Sequence, residues 1–572
     1  MSYPEGSQIF IDANEATVRL VDSVHLASSP KNATARNIAQ PPAPTLEYPE
    51  FSSSIDRTQN PCDNFYNFAC NGWRKKNALR PGDMTISHIS LIERKIAKEM
   101  ADMVRNGNVL RKTEHGMKAD FFYKKCMGID ERNRLGSRPL LERIRSARGR
   151  VDKSITGWLI EMKPLDLFHQ IFVSINDYNS SLHMLEVAPS SPLLTMEHYA
   201  SEESRAIYAL RNFLQTLLDI LSEDDWRSEF ISPFDFERSM RIEKFLMVDR
   251  EMANIIHETE PVDLVVTFDE LETFLPSIEW YRWLRSFELD PRRYSPESYK
   301  QMPVRLRNAQ VLRRFDEMLS KMDLGLLANF MEFRLMCVGS SYLDERFKVA
   351  SDRYSEESLG VTLREKAMAE QCIKKVQDSF AEIIGAIYVQ HHFDSATGKL
   401  FPRLRWNKAF QTRKRESKWM DEATKANAIK KVHAIRDTIG FDRQMNNKTN
   451  QDIIYGDLNI TANMTYFDMA NAAQEESKYL KAATKLLQSP GEQFRVQGLE
   501  DLSPEQLFYS YYAYANCANY DPRAVHEELQ YDVHALNEHR VNVVFSNDAA
   551  FQAAFNCPAR SAMVAEPRCE LW

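Results

Sequence analysis

The stretch Pro61–Trp73, with the sequence PCDNFYNFACNGW, decides how the rest of the chain is organised. It contains Cys62 and Cys70 together with four aromatic residues. A second cysteine-bearing stretch, NCPARSAMVAEPRCELW, runs from Asn556 to Trp572. If thiols at the two ends of the chain pair, the N-terminal and C-terminal segments form one structural unit, and everything else is inserted between them.

The composition indicates a protein with a sizeable core. The chain has 572 residues, of which 43% are hydrophobic, and this is enough for several domains. The net charge of −8 leaves no bulk positive field to hold nucleic acid or an anionic membrane. No run of about eighteen apolar residues occurs, so no membrane span is expected. The first thirty residues lack a basic segment followed by an apolar core, so no signal peptide is expected either.

The cysteines favour an oxidising compartment. Their number, eight, is even, and most of them lie toward the two ends of the chain. No C-x-x-C occurs, which excludes paired zinc-knuckle spacing. Five N-x-S/T motifs would be glycosylation acceptors in a secreted protein, although such motifs also arise by chance. They begin at Asn32, Asn179, Asn447, Asn459 and Asn463.

Proline and apolar periodicity divide the chain. Residues 1–60 contain Pro41, Pro42 and Pro44 and are predicted to be a disordered tail. From about residue 90 to 440 the pattern is helical, with apolar residues at steps of three and four. The segment Asn446–Thr465 is rich in Asn and Thr and is predicted to be an exposed loop. The clearest predicted helices are Tyr208–Leu221, Pro276–Leu289, Ile373–Tyr388, Asp421–Gly440 and Pro504–Ala518.

Several motifs of well-known enzymes are missing. There is no GxGxxG, GxxxxGK[ST] or GxSxG. None of the thirteen histidines lies four residues from another, so the chain has no HExxH, the spacing that puts two imidazoles on one helix face. A basic cluster could be a polyanion site or a solvated helix face, and the acidic chain favours the solvated face. It comprises Arg403, Arg405, Lys408, Arg413, Lys414, Arg415 and Lys418.

The motifs that are present resemble one family. CDNFYNFACNGW is similar to the CxxFYxYACGxW opening of the neprilysin and endothelin-converting-enzyme family of zinc metallopeptidases. WMDEATKANAIKKVHAIRDTIG, from Trp419 to Gly440, is similar to the family's WMDxxTKxxAxxKxxxIxxxIG helix. Further matches follow the family order over residues 61–572, at Tyr123–Met127, Cys517–Tyr520, Arg540–Asn542 and Cys569–Trp572.

The resemblance implies a mainly α, two-lobed, multi-helical neprilysin-like fold. Residues 61–105 and 485–572 would form a lower, peptidase-like lobe, and residues 106–484 a helical cap lobe. Family disulfides would join Cys62 to Cys557, Cys70 to Cys517, and Cys126 to Cys372. Cys569 loses its usual family partner and Cys337 has no family counterpart, so these two could pair or remain free thiols.

The chain departs from the family where the chemistry should be. Active members carry HExxH and ExxxD, which supply the zinc ligands and the general base, between the Trp-Met-Asp helix and the later cysteine segment. Here only Asp468–Gln497 stands in that place, and it contains no histidine. We therefore expect the thermolysin-like zinc core to be deleted, with no catalytic residue, no metal ligand and no cofactor, although zinc is expected in active members.

Three residues carry over from the substrate-binding machinery of the family. His534 would hydrogen-bond the transition-state oxyanion, Asp532 would orient it, and Arg540 would hold a substrate carbonyl. The same three residues could instead form a satisfied polar network between packed helices.

These observations predict a catalytically inactive neprilysin-like homologue. By family analogy it would be extracellular or at the cell surface and would bind peptides or proteins. The alternative is a shortened isoform or gene model of an active zinc metalloendopeptidase. A purely structural helical protein is the third reading.

Overall fold

We describe the fold from a computed structural model. It describes residues 45–46, 48–80, 82–107, 109–176, 183–201, 203–224, 234–286, 300–360, 367–392, 421–434, 445, 447–477, 495–499, 501–531 and 534–568. Several predicted features lie outside these residues: the basic cluster of residues 403–418, the last turns of the predicted 421–440 helix, and Asn32, Asn179, Asp532 and Cys569.

Helices dominate the described part of the chain, as the sequence predicted. The α-helices are Pro49–Ser52, Phe65–Lys76, His88–Gly107, Glu114–Met127, Ile129–Leu135, Arg138–Arg150, Ile155–Glu161, Met196–Tyr199, Arg205–Asp224, Asp235–Glu258, Phe268–Phe274, Trp280–Arg285, Ala309–Lys321, Leu324–Gly339, Glu345–Leu359, Met368–Ser379, Ala381–His392, Glu422–Ala434, Lys448–Tyr455, Tyr466–Ser477, Pro504–Ala515, Pro522–Tyr531, Asn537–Ser546 and Ala549–Phe555. Short 3-10 helices are Val109–Lys112, Lys163–Leu165 and Ser340–Tyr342. None of the described helices is both long and apolar enough to cross a membrane.

The chain divides into two compact units, Met1–Thr45 and Leu46–Trp572. Only Thr45 of the first unit is described, and the rest of this account concerns the second unit.

Strands make a smaller contribution, which the sequence pattern did not reveal. One sheet has four strands in the order His169–Ile175, His183–Pro189, Pro303–Leu306, Leu264–Thr267. The two outer pairings are antiparallel and the central one is parallel. Short strands Thr85–Ser87 and Ala518–Tyr520 also pair antiparallel, and further two-residue strands lie at Thr45–Leu46 and Arg495–Val496. The central pairing joins strands more than a hundred residues apart, so it leaves little local signal.

The predicted helices agree with the structure to different degrees. The helix Arg205–Asp224 contains the whole of the predicted one. At the start of Glu422–Ala434, the Asp421 carboxylate accepts the Thr424 amide over 2.8 Å, as a helix cap does. The predicted 276–289 helix is shorter, with only Trp280–Arg285 helical among the described residues. The predicted 373–388 helix is two helices separated by Phe380, which is fully buried.

The prediction of an exposed loop over Asn446–Thr465 is wrong for residues Lys448–Tyr455. Residues Lys448–Tyr455 form a helix, and the Asn447 side chain caps it by accepting the Thr449 amide over 2.9 Å. Tyr455 and Ile460 are at most 5% exposed and pack into a core. Their burial depends on distant helices, whereas the local sequence is polar. The three glycosylation-motif asparagines in this segment, Asn447, Asn459 and Asn463, are exposed.

Three apolar clusters form the core of the described part of the chain. The largest draws on residues 140–350 together with Phe467. A second joins residues 100–126, 372–384 and 455–473. The third brings residues 51–86 together with residues 496–564, so both ends of the chain share one core. The predicted lobe boundaries near residues 105 and 485 remain a prediction.

The packed structure begins before the Pro61 boundary that the sequence suggested. Phe51 is only 1% exposed and belongs to the core shared by the two chain ends. Its ring lies 5.4 Å from Tyr511 and 5.1 Å from Tyr514, centroid to centroid. Aromatic contacts of this kind explain why a proline-rich segment ends in ordered structure.

The three disulfides implied by the family resemblance are present. Cys62 is bonded to Cys557 and Cys70 to Cys517, across 495 and 447 residues of sequence. Cys126 is bonded to Cys372. Cys337 is a free thiol, and burial raises its pKa to about 12.

Candidate functional site

The predicted substrate-binding residues His534 and Arg540 lie at the start of the helix Asn537–Ser546. This helix packs against the helix Phe65–Lys76 from the other end of the chain. The helix Asn537–Ser546 buries Val541 completely and Phe545 almost completely. Phe545 packs edge-on against Phe65 with ring centroids 5.6 Å apart. The apolar face of this helix therefore fixes its position, and its N-terminal end is left to carry the polar residues.

Polar contacts set the rotation of the same helix. Asn64 Nδ2 donates to Glu538 Oε1 over 2.8 Å, and Asn542 Nδ2 donates to Asn64 Oδ1 over 3.0 Å. The Tyr66 amide donates to Asn542 Oδ1 over 2.8 Å. Two helix starts thus share one hydrogen-bonded network, in which side chains satisfy amides that no intrahelical carbonyl can reach.

Arg540 and His534 lie at the N-terminal end of this helix. Arg540 Nε donates a hydrogen bond to the carbonyl oxygen of Ala535 over 2.7 Å. This contact folds the guanidinium back toward the segment that carries His534, whose side chain is exposed. The structure therefore places Arg540 and His534 at one helix end, while Asp532 lies outside the described residues.

The helix start itself adds positive potential. Leu536 occupies the N-cap position and supplies no side-chain hydrogen bond to the first-turn amides. Exposed amides at a helix start attract carboxylates and acyl oxygens, because the helix dipole is positive there. An arginine beside such a helix end can hold a peptide carbonyl or a terminal carboxylate. This arrangement suits binding, whereas catalysis would need an additional base or metal.

The described residues do not fit the zinc that the family uses. Within the described ranges, no three side chains of His, Cys, Asp or Glu come together in a group that could hold a metal ion. In the full sequence, no two histidines have the helical spacing that a zinc peptidase motif needs. We therefore derive no reaction step through a metal.

Sequence reasoning missed the residues that position this site. Asn64 and Asn542 determine how the two chain ends meet, yet neither was singled out as a functional residue. The signal for Asn64 was available, because an Asn directly before an apolar helical stretch is a typical N-cap, and Asn64 accepts the Asn67 amide over 2.9 Å. No local signal pointed to the role of Asn542, since its partner lies 476 residues away.

Comparisons with known proteins identify relatives of this chain. Two models of peptidase family M13 match the chain, one over residues 61–442 and the other over residues 403–571. Endothelin-converting enzyme 1 of Rattus norvegicus is 25% identical over 441 residues, covering 73% of this chain and 55% of the relative. Neprilysin-11 of Caenorhabditis elegans is 24% identical, covering 73% of this chain and 51% of the relative. The chain spans about half the length of these curated relatives.

The solved structures agree on the fold. The inhibitor-bound zinc metalloprotease Zmp1 of Mycobacterium tuberculosis has a TM-score of 0.67 at 12% identity, covering 93% of this chain and all of that one. The matched models, the paired cysteines at the two chain ends and the helical core together lead to one assignment: the chain belongs to peptidase family M13.

Proposed function

We propose that this chain is a catalytically inactive member of peptidase family M13 that binds peptides or proteins outside the cell. The observation that carries the proposal is the composition of one internal stretch. Residues 468–497, which take the place of the family's zinc-binding motifs, contain no histidine, and the whole chain has no HExxH. Without zinc, nothing lowers the pKa of an attacking water or polarises a scissile carbonyl.

The framework around this stretch is retained, and this supports a binding role. Two disulfides and the Asn64–Asn542 network hold the helix that carries Arg540. The Arg540 guanidinium and the first-turn amides offer hydrogen-bond donors to a peptide carbonyl or carboxylate.

The proposed location rests on chemistry as well as on family analogy. Three disulfides suit an oxidising compartment. The exposed asparagines Asn447, Asn459 and Asn463 suit glycosylation in the secretory pathway. Mass spectrometry of protein secreted from eukaryotic cells, with and without glycosidase treatment, would test both points.

Zinc content and cleavage decide whether the chain is inactive. The purified protein is dialysed against zinc-containing and then zinc-free buffer, its metal content is measured, and fluorogenic peptides are offered as substrates. We expect substoichiometric zinc and no cleavage that phosphoramidon inhibits. Stoichiometric zinc with phosphoramidon-sensitive cleavage would overturn the proposal. Sequencing the transcript across codons 468–497 addresses the alternative, because an exon encoding HExxH would favour a shortened form of an active peptidase.

Binding is tested at the helix end. A pool of peptides is screened by fluorescence anisotropy against the wild-type protein and against Arg540→Ala and His534→Ala. Loss of a charge-assisted hydrogen bond should weaken binding about tenfold. His539→Ala is the matched control, since His539 is an exposed histidine on the same helix. Peptide affinity that none of the site variants changes would favour a purely structural role for these residues.

A further inference from the structure

A cavity of about 740 Å³ lies among helices of the largest apolar cluster, far along the chain from Arg540. This volume is within the range of ligand-binding pockets. Its walls come from the end of Arg138–Arg150, the turn that follows, the helices Ile155–Glu161 and Asp235–Glu258, and the start of Leu324–Gly339. None of its lining residues belongs to residues 501–568, so this cavity is separate from the site of the proposed function.

A buried carboxylate organises one wall of the cavity. Glu332 is 1% exposed and accepts hydrogen bonds from Arg148 Nη2 over 2.9 Å and from Arg241 Nη2 over 3.0 Å. Arg241 Nε also donates to Asn329 Oδ1 over 2.9 Å. Two guanidinium groups thus share one carboxylate, and this wall carries a net positive charge. The contacts hold both arginines in place before any ligand arrives.

Two lysines add unpaired positive charge at the cavity. Lys153 and Lys244 line it and are exposed, and neither has a hydrogen-bond or ion-pair partner among the described residues. The nearby Glu243 is bonded to Arg211 instead. Asp323 also lines the cavity, but its carboxylate accepts the amides of Gly325 and Leu326. The lining therefore holds four cationic side chains against two carboxylates that already have partners.

The cavity also has an apolar part that continues onto the surface. Trp158 and Leu326 line it, together with Met247, which is 54% exposed. The helix Asp235–Glu258 carries a surface stripe of four residues that lie on one face, because they are spaced at steps of four, four and three. The stripe consists of Phe236, Met240, Lys244 and Met247. Phe236 is 75% exposed and Met240 is 45% exposed.

This surface stripe has the length of a short peptide. The eleven helical steps from Phe236 to Met247 span about 17 Å, which is the length of about five residues of extended chain. Exposed methionines adapt to apolar side chains of different shapes. The cationic cavity at one end of the stripe complements carboxylates.

We propose that the cavity and the stripe bind an acidic peptide segment that also carries apolar side chains. Its carboxylates contact Lys153, Lys244 and the guanidinium groups held by Glu332, and its apolar side chains lie on Met240 and Met247. The chain as a whole carries a charge of −8, so attraction of an acidic partner depends on this local positive region.

The test uses the full chain and a fluorescein-labelled peptide that carries a run of Glu at one end and Phe and Leu at the other. Fluorescence anisotropy is measured at low and moderate salt. We expect saturable binding that weakens as salt rises, because screening shortens the reach of exposed charges. Two further peptides serve as comparisons, one with Gln in place of Glu and one with Ser in place of Phe and Leu. Both should bind about tenfold more weakly than the original peptide.

Variants locate the binding. The double variant Lys153→Glu/Lys244→Glu should weaken binding of the acidic peptide about tenfold or more. Lys112→Glu, at an exposed lysine outside the cavity, should leave binding unchanged and shows whether a charge reversal away from the cavity affects the peptide. Met247→Asp should also weaken binding, because a new carboxylate meets the peptide. Circular dichroism and thermal melts verify that each variant is folded.

Four results would overturn the proposal. The first two are that the wild-type protein shows no saturable binding, and that the double lysine variant binds the acidic peptide as tightly as the wild type. The third is that Lys112→Glu loses as much affinity as the double lysine variant. The fourth is that the Ser-containing peptide binds as tightly as the original peptide. The last result would indicate a general polyanion site. Substitutions at Arg540 or His534 leave this cavity intact, so the outcome is independent of the proposed function.

Discussion

Asn542 Oδ1 accepts a hydrogen bond from the backbone amide of Tyr66 over 2.8 Å, and so joins two residues that are 476 positions apart. The Tyr66 amide lies in the first turn of Phe65–Lys76, where no intrahelical carbonyl is available to accept it. Asn542 therefore acts as a helix cap supplied from the other end of the chain. The contact lies beside the Cys62–Cys557 and Cys70–Cys517 disulfides, which hold the same two segments together.

Asn542→Ala should lower the free energy of unfolding by about 1–3 kcal/mol, because it leaves a partly buried amide without a partner. Chemical denaturation followed by circular dichroism measures the change. Gln301→Ala is the control, since Gln301 is an exposed amide in a turn and its loss should change stability by less than about 0.5 kcal/mol. Equal stability of Asn542→Ala and the wild type would show that the disulfides and the shared apolar core hold the two segments without this hydrogen bond.

Gly72→Ala should destabilise the same region through a steric clash. A Cβ at Gly72 would lie 2.1 Å from the carbonyl oxygen of Ser53, a backbone atom that cannot move away cheaply. The Gly72 amide also donates to the Ser54 carbonyl over 2.9 Å, which keeps the two segments close. We expect a loss of about 1–3 kcal/mol in the free energy of unfolding, as overpacking of a core causes.

Gly149→Ala is the matched control for that substitution. Gly149 lies in the helix Arg138–Arg150, and a Cβ there meets no atom within 4 Å. Alanine should therefore raise stability by about 0.5–1 kcal/mol. If both glycine variants were stabilised, the close approach of Ser53 to Gly72 would be wrong.

His169 should make stability depend on pH in the acid range. His169 is 8% exposed, its Nε2 has no hydrogen-bond partner among the described residues, and burial lowers its pKa from 6.5 to about 3. Below pH 6.5 His169 therefore binds a proton in the unfolded chain and stays neutral in the folded chain. The stability contributed by neutral His169 is complete above pH 6.5 and is lost as pH falls toward 3, by up to about 1.4 kcal/mol per pH unit.

The measurement compares denaturation midpoints at neutral and mildly acidic pH. His169→Phe cannot take up a proton and keeps a ring against Trp280, whose centroid lies 5.6 Å from that of His169. This variant should lose less stability on acidification than the wild type does. His539→Gln, at an exposed histidine, should keep the wild-type pH dependence. Identical pH dependence in His169→Phe and the wild type would contradict the assignment.

Lys153→Gly should leave stability unchanged or raise it by up to about 1 kcal/mol. Lys153 has a φ of 62°, a left-handed backbone conformation that costs a residue with a Cβ roughly 1 kcal/mol or more and costs glycine nothing. Lys112→Gly, at an exposed lysine without a positive φ, should instead lower stability by about 0.5–1 kcal/mol. Thermal melts of both variants compare the two positions, and a marked loss of stability in Lys153→Gly would be inconsistent with the strain.

The sequence predicted the covalent framework of this protein well. Family motifs around Cys62, Cys70 and Cys126 implied three disulfides, and all three are present. Periodic apolar residues predicted the helix Arg205–Asp224 because its buried face repeats every three or four positions. Predictions failed where a polar or mixed local pattern is buried by distant partners, as in the Lys448–Tyr455 helix and the break at Phe380.

What the sequence determined by itself is therefore the resemblance to the family, the existence of most helices and the lack of HExxH, because motifs, spacing and period are all local properties of a chain. The cysteine partners were implied by that resemblance and not by the spacing of the cysteines. The tertiary structure alone decided which side chains meet. The Tyr66 amide donates a hydrogen bond to Asn542. The buried Glu332 forms ion pairs with both Arg148 and Arg241. Four strands from residues 169–306 form one sheet. These partners depend on contacts across tens to hundreds of residues, which no short sequence pattern encodes.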